Sequence, residues 1–137
     1  MKKQALLIAL LWMSAGTTLI HGQQNGVKVN VPFKFMAAGK TLPAGVYLLS
    51  SARGRVLIEN AQGLGVAMAL ANEVSGHSSF RNGQVVFRCY RDECFLSQLW
   101  DPTEQAGHEL LKSPAETEAA KRQPGAYFAL LGTRAHK

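Results

Sequence analysis

The chain has two cysteines, Cys89 and Cys94, and both fall in the stretch VVFRCYRDECFLSQLW (85–100). Such a pair offers three chemistries: metal ligation, thiol redox exchange, or a structural disulfide. A redox pair normally reads Cys-x-x-Cys at a helix N-terminus, where the dipole lowers the thiol pKa, and a wider spacing in a β-like stretch meets neither condition. Zinc needs two further ligands, and beyond the N-terminal segment only His77, His108 and His136 remain, none at finger-like or HExxH spacing. A hairpin of 85–90 with 93–100 around Arg91-Asp92 sets Tyr90 opposite Glu93 and Cys89 opposite Cys94. The cysteines then form the closer, non-hydrogen-bonded type of pair, whose Cα separation of about 4.5 Å suits a disulfide. The expectation is a Cys89–Cys94 staple, with no metal and no cofactor. Closing about six residues stabilises the fold by roughly 2 kcal/mol in the chain-entropy relation. It also clamps the register at a turn that lacks the favoured glycine or asparagine.

No other stretch carries a recognisable reaction. SGHSS (75–79) places a histidine among serines, but no Gly-x-Ser-x-Gly elbow accompanies it, and a polar loop explains it. The carboxylates sit mostly in turns or in a helical stretch, so no acid/base pair is nominated. GLGVAM (63–68) lacks the third glycine and the helix of a dinucleotide motif. No catalytic residue is therefore assigned. Aromatic residues concentrate at Phe87, Tyr90, Phe95 and Trp100. Strict alternation sets Phe87, Leu96 and Trp100 on the cysteine face, and Tyr90, Phe95 and Leu99 with Val86 on the other. Core packing is the ordinary role for such residues. The sharper alternative is a binding groove lined by Arg88, Tyr90 and Phe95, where aromatics beside an arginine suit a ligand.

The surrounding pattern is one of short strands. VKVNVPFKF (27–35) alternates with period two, and Pro32, without an N–H, marks an edge or a bulge. A loop at Gly39 and a turn at 42–45 lead to a strand at 46–50, and Arg53-Gly54 turns into RVLIEN (55–60). AQGLG turns again into VAMALA (66–71). Asn82-Gly83 is a hairpin signal that pairs 74–81 with the strand from Gln84, unless 74–81 is a loop. A short strand is expected near 108–112. Ser113 as cap, Pro114 at the first helical position and Glu116 completing a capping box start a helix over about 114–122, which Pro124-Gly125 stops. The tail 124–137 holds an apolar patch at 127–131 that adds a last strand or docks loosely. These spacings predict an all-β domain, an antiparallel meander of about seven strands forming a small sandwich or flattened barrel, with one short C-terminal helix.

The N-terminus reads MKKQALLIALLWMSAGTTLIHGQQNG: two lysines, a short apolar run and then small residues, the layout of a signal peptide. The run is too short to span a bilayer, which takes about 20 apolar residues. Cleavage is expected after Gly22, with Gly16 as the second choice and an uncleaved anchor as the alternative. The expected organisation is a signal peptide at 1–22, one β domain at 23–123 and a tail at 124–137. The product is periplasmic or secreted and not an integral membrane protein. Losing Lys2 and Lys3 lowers the net charge of +6 by two, and the remaining cations are dispersed. That excludes a nucleic-acid reader and leaves a cell-envelope protein or an anionic polysaccharide as candidate partners.

The segments VNVPFKF, AGKTLPAGVYLL, FLSQLW and ELLKSPAETEAAK, in this order over about 29–122, resemble small exported proteins of unknown function common in Acidobacteria and related soil bacteria. The resemblance implies an exported β domain and carries no catalytic residues. The cysteine pair departs from that pattern, as does Arg91 where a glycine is expected, which points to an accessory staple. The expected function is a non-enzymatic structural or binding component of the cell envelope, and the alternative is a small-ligand-binding barrel or groove.

Overall fold

Val27, Val29 and Val31 are buried while Lys28 and Asn30 are exposed, so the period-two pattern becomes a strand with one face in the core. A computed structural model of the chain describes residues 26–76 and 82–135. The proposed signal segment and its cleavage point, His77 with the rest of 77–81, and His136 lie outside the described residues. The elements are β1 (Gly26–Val31), β2 (Phe35–Ala37), β3 (Lys40–Leu42), β4 (Gly45–Ala52), β5 (Arg55–Asn60), β6 (Gly65–Ser75), β7 (Gln84–Tyr90), β8 (Glu93–Trp100), β9 (Ala106–Leu110), α1 (Pro114–Arg122), β10 (Ala126–Leu131) and β11 (Thr133–Ala135). The class is all-β with one short helix. The eleven strands among the described residues exceed the expected seven because short segments read as loop or tail pair as strands.

The sequence reads one strand through Phe35, but β1 stops at Val31. Pro32 offers no N–H to a ladder, and the chain bends before β2. Two tight hairpins follow from the turn residues. Ala38-Gly39 (φ 52° and 75°) joins β2 to β3, and Arg53-Gly54 (φ 51° and 73°) joins β4 to β5. Both place two residues at positive φ, the conformation that matches strand twist. The Asn82-Gly83 signal does not pair 74–76 with β7, and the rest of the expected strand, 77–81, lies outside the described residues. Val74 and Ser75 pair with Gly107 and Ala106 of β9 instead, and the neighbours of β7 are β8 and β10. β6 is long because it serves two partners, Gly65–Leu70 lying on β5 and Ala71–Ser75 on β9.

Strand order along the sheet is β10-β7-β8-β9-β6-β5-β4-β1-β11, with β2 set beside β8 through a parallel Met36–Phe95 bridge. The sheet bends so that β1, β4 and β5 face β7 and β8 across one core. Phe35, Leu49, Ile58, Val85, Phe87 and Leu99 fill that core and are almost wholly buried. Phe35 and Phe87 meet edge to face at 5.3 Å, and Phe35 meets Tyr47 in the same way at 5.2 Å.

The tail belongs to the sheet. β10 and β11 are the two ends of the strand order, and in the chain only Gly132 separates them. At Gly132 the backbone leaves β7, donates its N–H to the Gly83 carbonyl (3.1 Å) and crosses to β1. A Cβ on Gly132 would lie 2.1 Å from Val27 Cγ1, and one on Gly83 would lie 2.6 Å from Val27 Cγ2. The seam thus needs two bare backbones against one valine. Gly132→Ala is expected to destabilise the protein by about 1–3 kcal/mol through overpacking, and adding Val27→Ala should return part of that loss. Urea midpoints of the two singles and the double variant check this. Strict additivity would contradict the steric account.

Candidate functional site

The cysteine hairpin forms in the expected register. Tyr90 pairs with Glu93 and Cys89 with Cys94, whose Cα atoms are 4.0 Å apart with the sulfurs at bonding distance. Arg91 takes the positive φ (58°) that a glycine would hold more easily. Farther along, the strict alternation fails. Phe87 pairs with Leu96 but Val86 pairs with Gln98, so Ser97 is an extra residue in β8. A bulge of one residue exchanges the faces beyond it. Leu99 therefore joins Phe87, Leu96 and both cysteines in the main core, and Trp100 leaves that face. Trp100 lies instead against Gly107 and Gly76, and its indole N–H donates to Gln98 Oε1 (2.9 Å).

Arg88, Tyr90 and Phe95 share the opposite face of β7 and β8, and Tyr90 also borders a pocket of about 250 Å³ beside Ala119 and Arg122. Tyr90 and Phe95 are 6% and 3% exposed, with ring centroids 5.9 Å apart, because α1 lies over them. Tyr90, Phe95 and Ala119 form a second small core, with Met36 against it. Gly125, just past the helix, packs on the Tyr90 ring, where a Cβ would stand 2.7 Å from Cε1.

α1 begins as the sequence predicts, at Ser113 and Pro114, with Ser113 Oγ accepting the Glu116 N–H (3.2 Å). The Glu116 side chain, expected in a capping box, turns inward and is 5% exposed. Its Oε1 has no hydrogen-bond partner and lies 3.8 Å from Arg88 Nη1. Arg88 is shared: Nη2 donates to the Tyr127 hydroxyl (2.6 Å) and lies 3.8 Å from Glu109 Oε1. Burial pushes the Glu116 carboxyl above its usual range, Arg88 and Lys112 pull it down, and Glu109 adds to the rise. The helix buries only Glu116 and Ala119, so sequence periodicity carried no sign of where it docks.

A second polar cluster joins the two halves of the sheet. Glu104 accepts from Ser51 Oγ of β4 and contacts His108 Nε2 of β9, while His108 Nδ1 is buried without a partner. Serine, glutamate and histidine meet here in an order unsuited to a nucleophile, because the carboxylate stands between hydroxyl and imidazole. Its role is to tie the 101–105 loop to β4.

Two surfaces remain. β10 ends the strand order, and its sequence AYFALL has neither charge nor proline; Tyr127 and Leu131 are 64% exposed. A cleft of about 480 Å³ crosses β11, β1, β4 and β5, lined by Lys28, Arg134, Val46, Leu48 and Glu59. Among the described residues no cluster of His, Cys, Asp or Glu forms a metal site, and no helix is long and apolar enough to cross a membrane. No family model, no curated protein and no solved structure matches the chain.

Two outcomes test these contacts. Arg91→Gly should raise stability by about 0.5–1 kcal/mol by relieving the positive φ, read from the urea midpoint of the oxidised protein. The second concerns pH. A carboxyl whose folded pKa is raised contributes stability fully below its unfolded value and loses it as pH rises toward the folded value. Glu116→Gln should therefore gain stability relative to wild type as pH rises above the unperturbed carboxyl value of about 4.3. Parallel curves for the two proteins would refute the assignment.

Proposed function

We propose that this protein is a non-enzymatic exported β domain that serves as a binding component of the cell envelope, docking a protein partner along β10. The observation that carries this reading is the uncharged end strand with its exposed Tyr127, Phe128 and Leu131. Soluble proteins normally protect such an edge with charges, proline or a cover, because its unpaired backbone groups invite another chain. A core filled by large side chains weighs against the version of the ligand reading that uses a barrel interior. Export is supported by the cationic and apolar layout of residues 1–22 and by a disulfide pair, which persists in an oxidising compartment. The resemblance to small exported proteins agrees with it.

The test has two parts. Protein recovered from the periplasmic or secreted fraction should have an intact mass beginning at Gln23, with thiols that alkylate only after reduction. A full-length chain with free thiols would overturn export. Ala129→Lys with Leu131→Lys should keep the unfolding free energy read from urea titration within about 0.5 kcal/mol, as surface changes do, yet abolish cross-linking to the envelope partner that wild type captures. Undiminished cross-linking would remove β10 as the docking strand.

A further inference from the structure

The two ends of the strand order are protected to different degrees. β11 is three residues long and carries Arg134, a short charged edge of the kind that discourages pairing. β10 has six residues, AYFALL, with neither charge nor proline. Its ladder with β7 fixes which backbone groups are left over. Gly132 donates its N–H to Gly83, and in the same register Phe128 pairs with Phe87 and Leu130 with Val85. Successive residues of a strand turn their N–H and C=O to opposite sides, so Phe128 and Leu130 point toward β7 as Gly132 does. Tyr127, Ala129 and Leu131 then direct theirs the other way, to the side where β10 has no partner strand.

The side chains alternate as well. Phe128 shares the core face with Phe87 and ends a run of edge-to-face rings: Tyr47 on Phe35 (5.2 Å), Phe35 on Phe87 (5.3 Å), Phe87 on Phe33 (5.1 Å) and Phe33 on Phe128 (5.7 Å). The run stops at the sheet edge, where Phe128 is 47% exposed. On the other face Tyr127 pairs with Arg88, whose guanidinium lies 4.9 Å from the tyrosine ring centroid and is ion-paired with Glu109 and Glu116. A foreign strand finds no charge on β10 by which to be selected, and an identical strand meets no like charge.

We propose that the partner of β10 is β10 of a second copy of this chain, the two strands pairing antiparallel about a two-fold axis at Phe128. The proposal rests on the reading of β10 as a docking strand and names its occupant. A two-fold axis perpendicular to the sheet keeps each face continuous, so residues of like parity must lie opposite each other. With Phe128 on its own counterpart, Tyr127 meets Ala129 and Leu130 meets Ala126, large against small on both faces. Tyr127 and Ala129 exchange backbone hydrogen bonds, and the Phe128 pair takes the closer, non-hydrogen-bonded position. The ring run of one copy is thereby joined to that of the other. A register centred on Ala129 sets alanine on alanine and carries the second strand up to the crossing at Gly132, where β1 already lies. One strand from each copy makes a small contact, which places the association in the weak, reversible class.

Sedimentation equilibrium on the purified protein, wild type and Ala129→Pro, tests the proposal together with disulfide trapping. Wild type should pass from monomer to dimer as concentration rises, with a midpoint between about 1 μM and about 1 mM. Ala129→Pro removes a donor that faces away from β7, a position where an edge strand tolerates proline. It should keep its far-UV circular dichroism while weakening dimerisation by about tenfold or more. Under mild oxidation Phe128→Cys should form a covalent dimer, and Tyr127→Cys, with Ala129 opposite it, should not. That comparison stands even if Ala129→Pro fails to fold. Wild type that stays monomeric, dimerisation untouched by Ala129→Pro, or trapping of Tyr127→Cys as readily as Phe128→Cys would each overturn the proposal. A monomer that still captures an envelope protein through β10 would remove the second copy and leave the docking strand, whereas a monomer that captures nothing would remove both.

Discussion

Val27 shares its space with two glycine backbones, and the architecture rests on that close approach. The strand order is open, and its two ends come together because Gly132 passes from β7 to β1 in a single residue, against Gly83 and over the valine methyls. Either glycine with a side chain would hold β10 and β11 away from β1, and the outer edge of β1 would lose its partner. The rest of the core, from Phe35 to Leu99, is enclosed on that side by the same crossing. One buried contact therefore turns a bent sheet into a two-sided enclosure.

The molecule has two layers of very different quality. Between the halves of the sheet, large aliphatic and aromatic side chains interlock, and this is where burial stabilises the fold. Outside the sheet, α1 rests on Tyr90 and Phe95 through an alanine and a glutamate. Local opening follows the density of buried apolar contacts, so the helix belongs to the low-stability end of the structure and the hairpin beneath it to the high end. The disulfide strengthens that contrast by fixing the hairpin at the point where the cover meets it.

Sequence reading succeeded where a single local signal decided the outcome. The cysteine spacing and a two-residue loop set the register of β7 with β8, and Ser113, Pro114 and Pro124-Gly125 bounded α1. It failed where the deciding partner is remote. Ser97 looks like any polar strand residue, yet as a bulge it moves Leu99 into the core and Trp100 out of it. Glu116 fits a capping box locally, and only the fold brings Arg88 within reach of its carboxylate. Arg88, Tyr90 and Phe95 share one face as alternation implies, and a helix with so little apolar character carries no signal that it lies over Tyr90 and Phe95. Glu104, Ser51 and His108 come from three separate stretches, and nothing in their spacing unites them.

The crossing at Gly132 also has a consequence in time. β11 pairs Ala135 with Gly26 and Thr133 with Lys28, joining the strands that come first and last in chain order among the described residues. Contacts of such long separation form late, because the entropy of closing the intervening chain is lost before they repay it. A chain passing N-terminus first through a narrow channel presents β1 early and its outer partner last. Should the proposed export run in that direction, the enclosure would stay unfinished throughout transit, and the polypeptide would remain threadable until the segment that seals it had emerged.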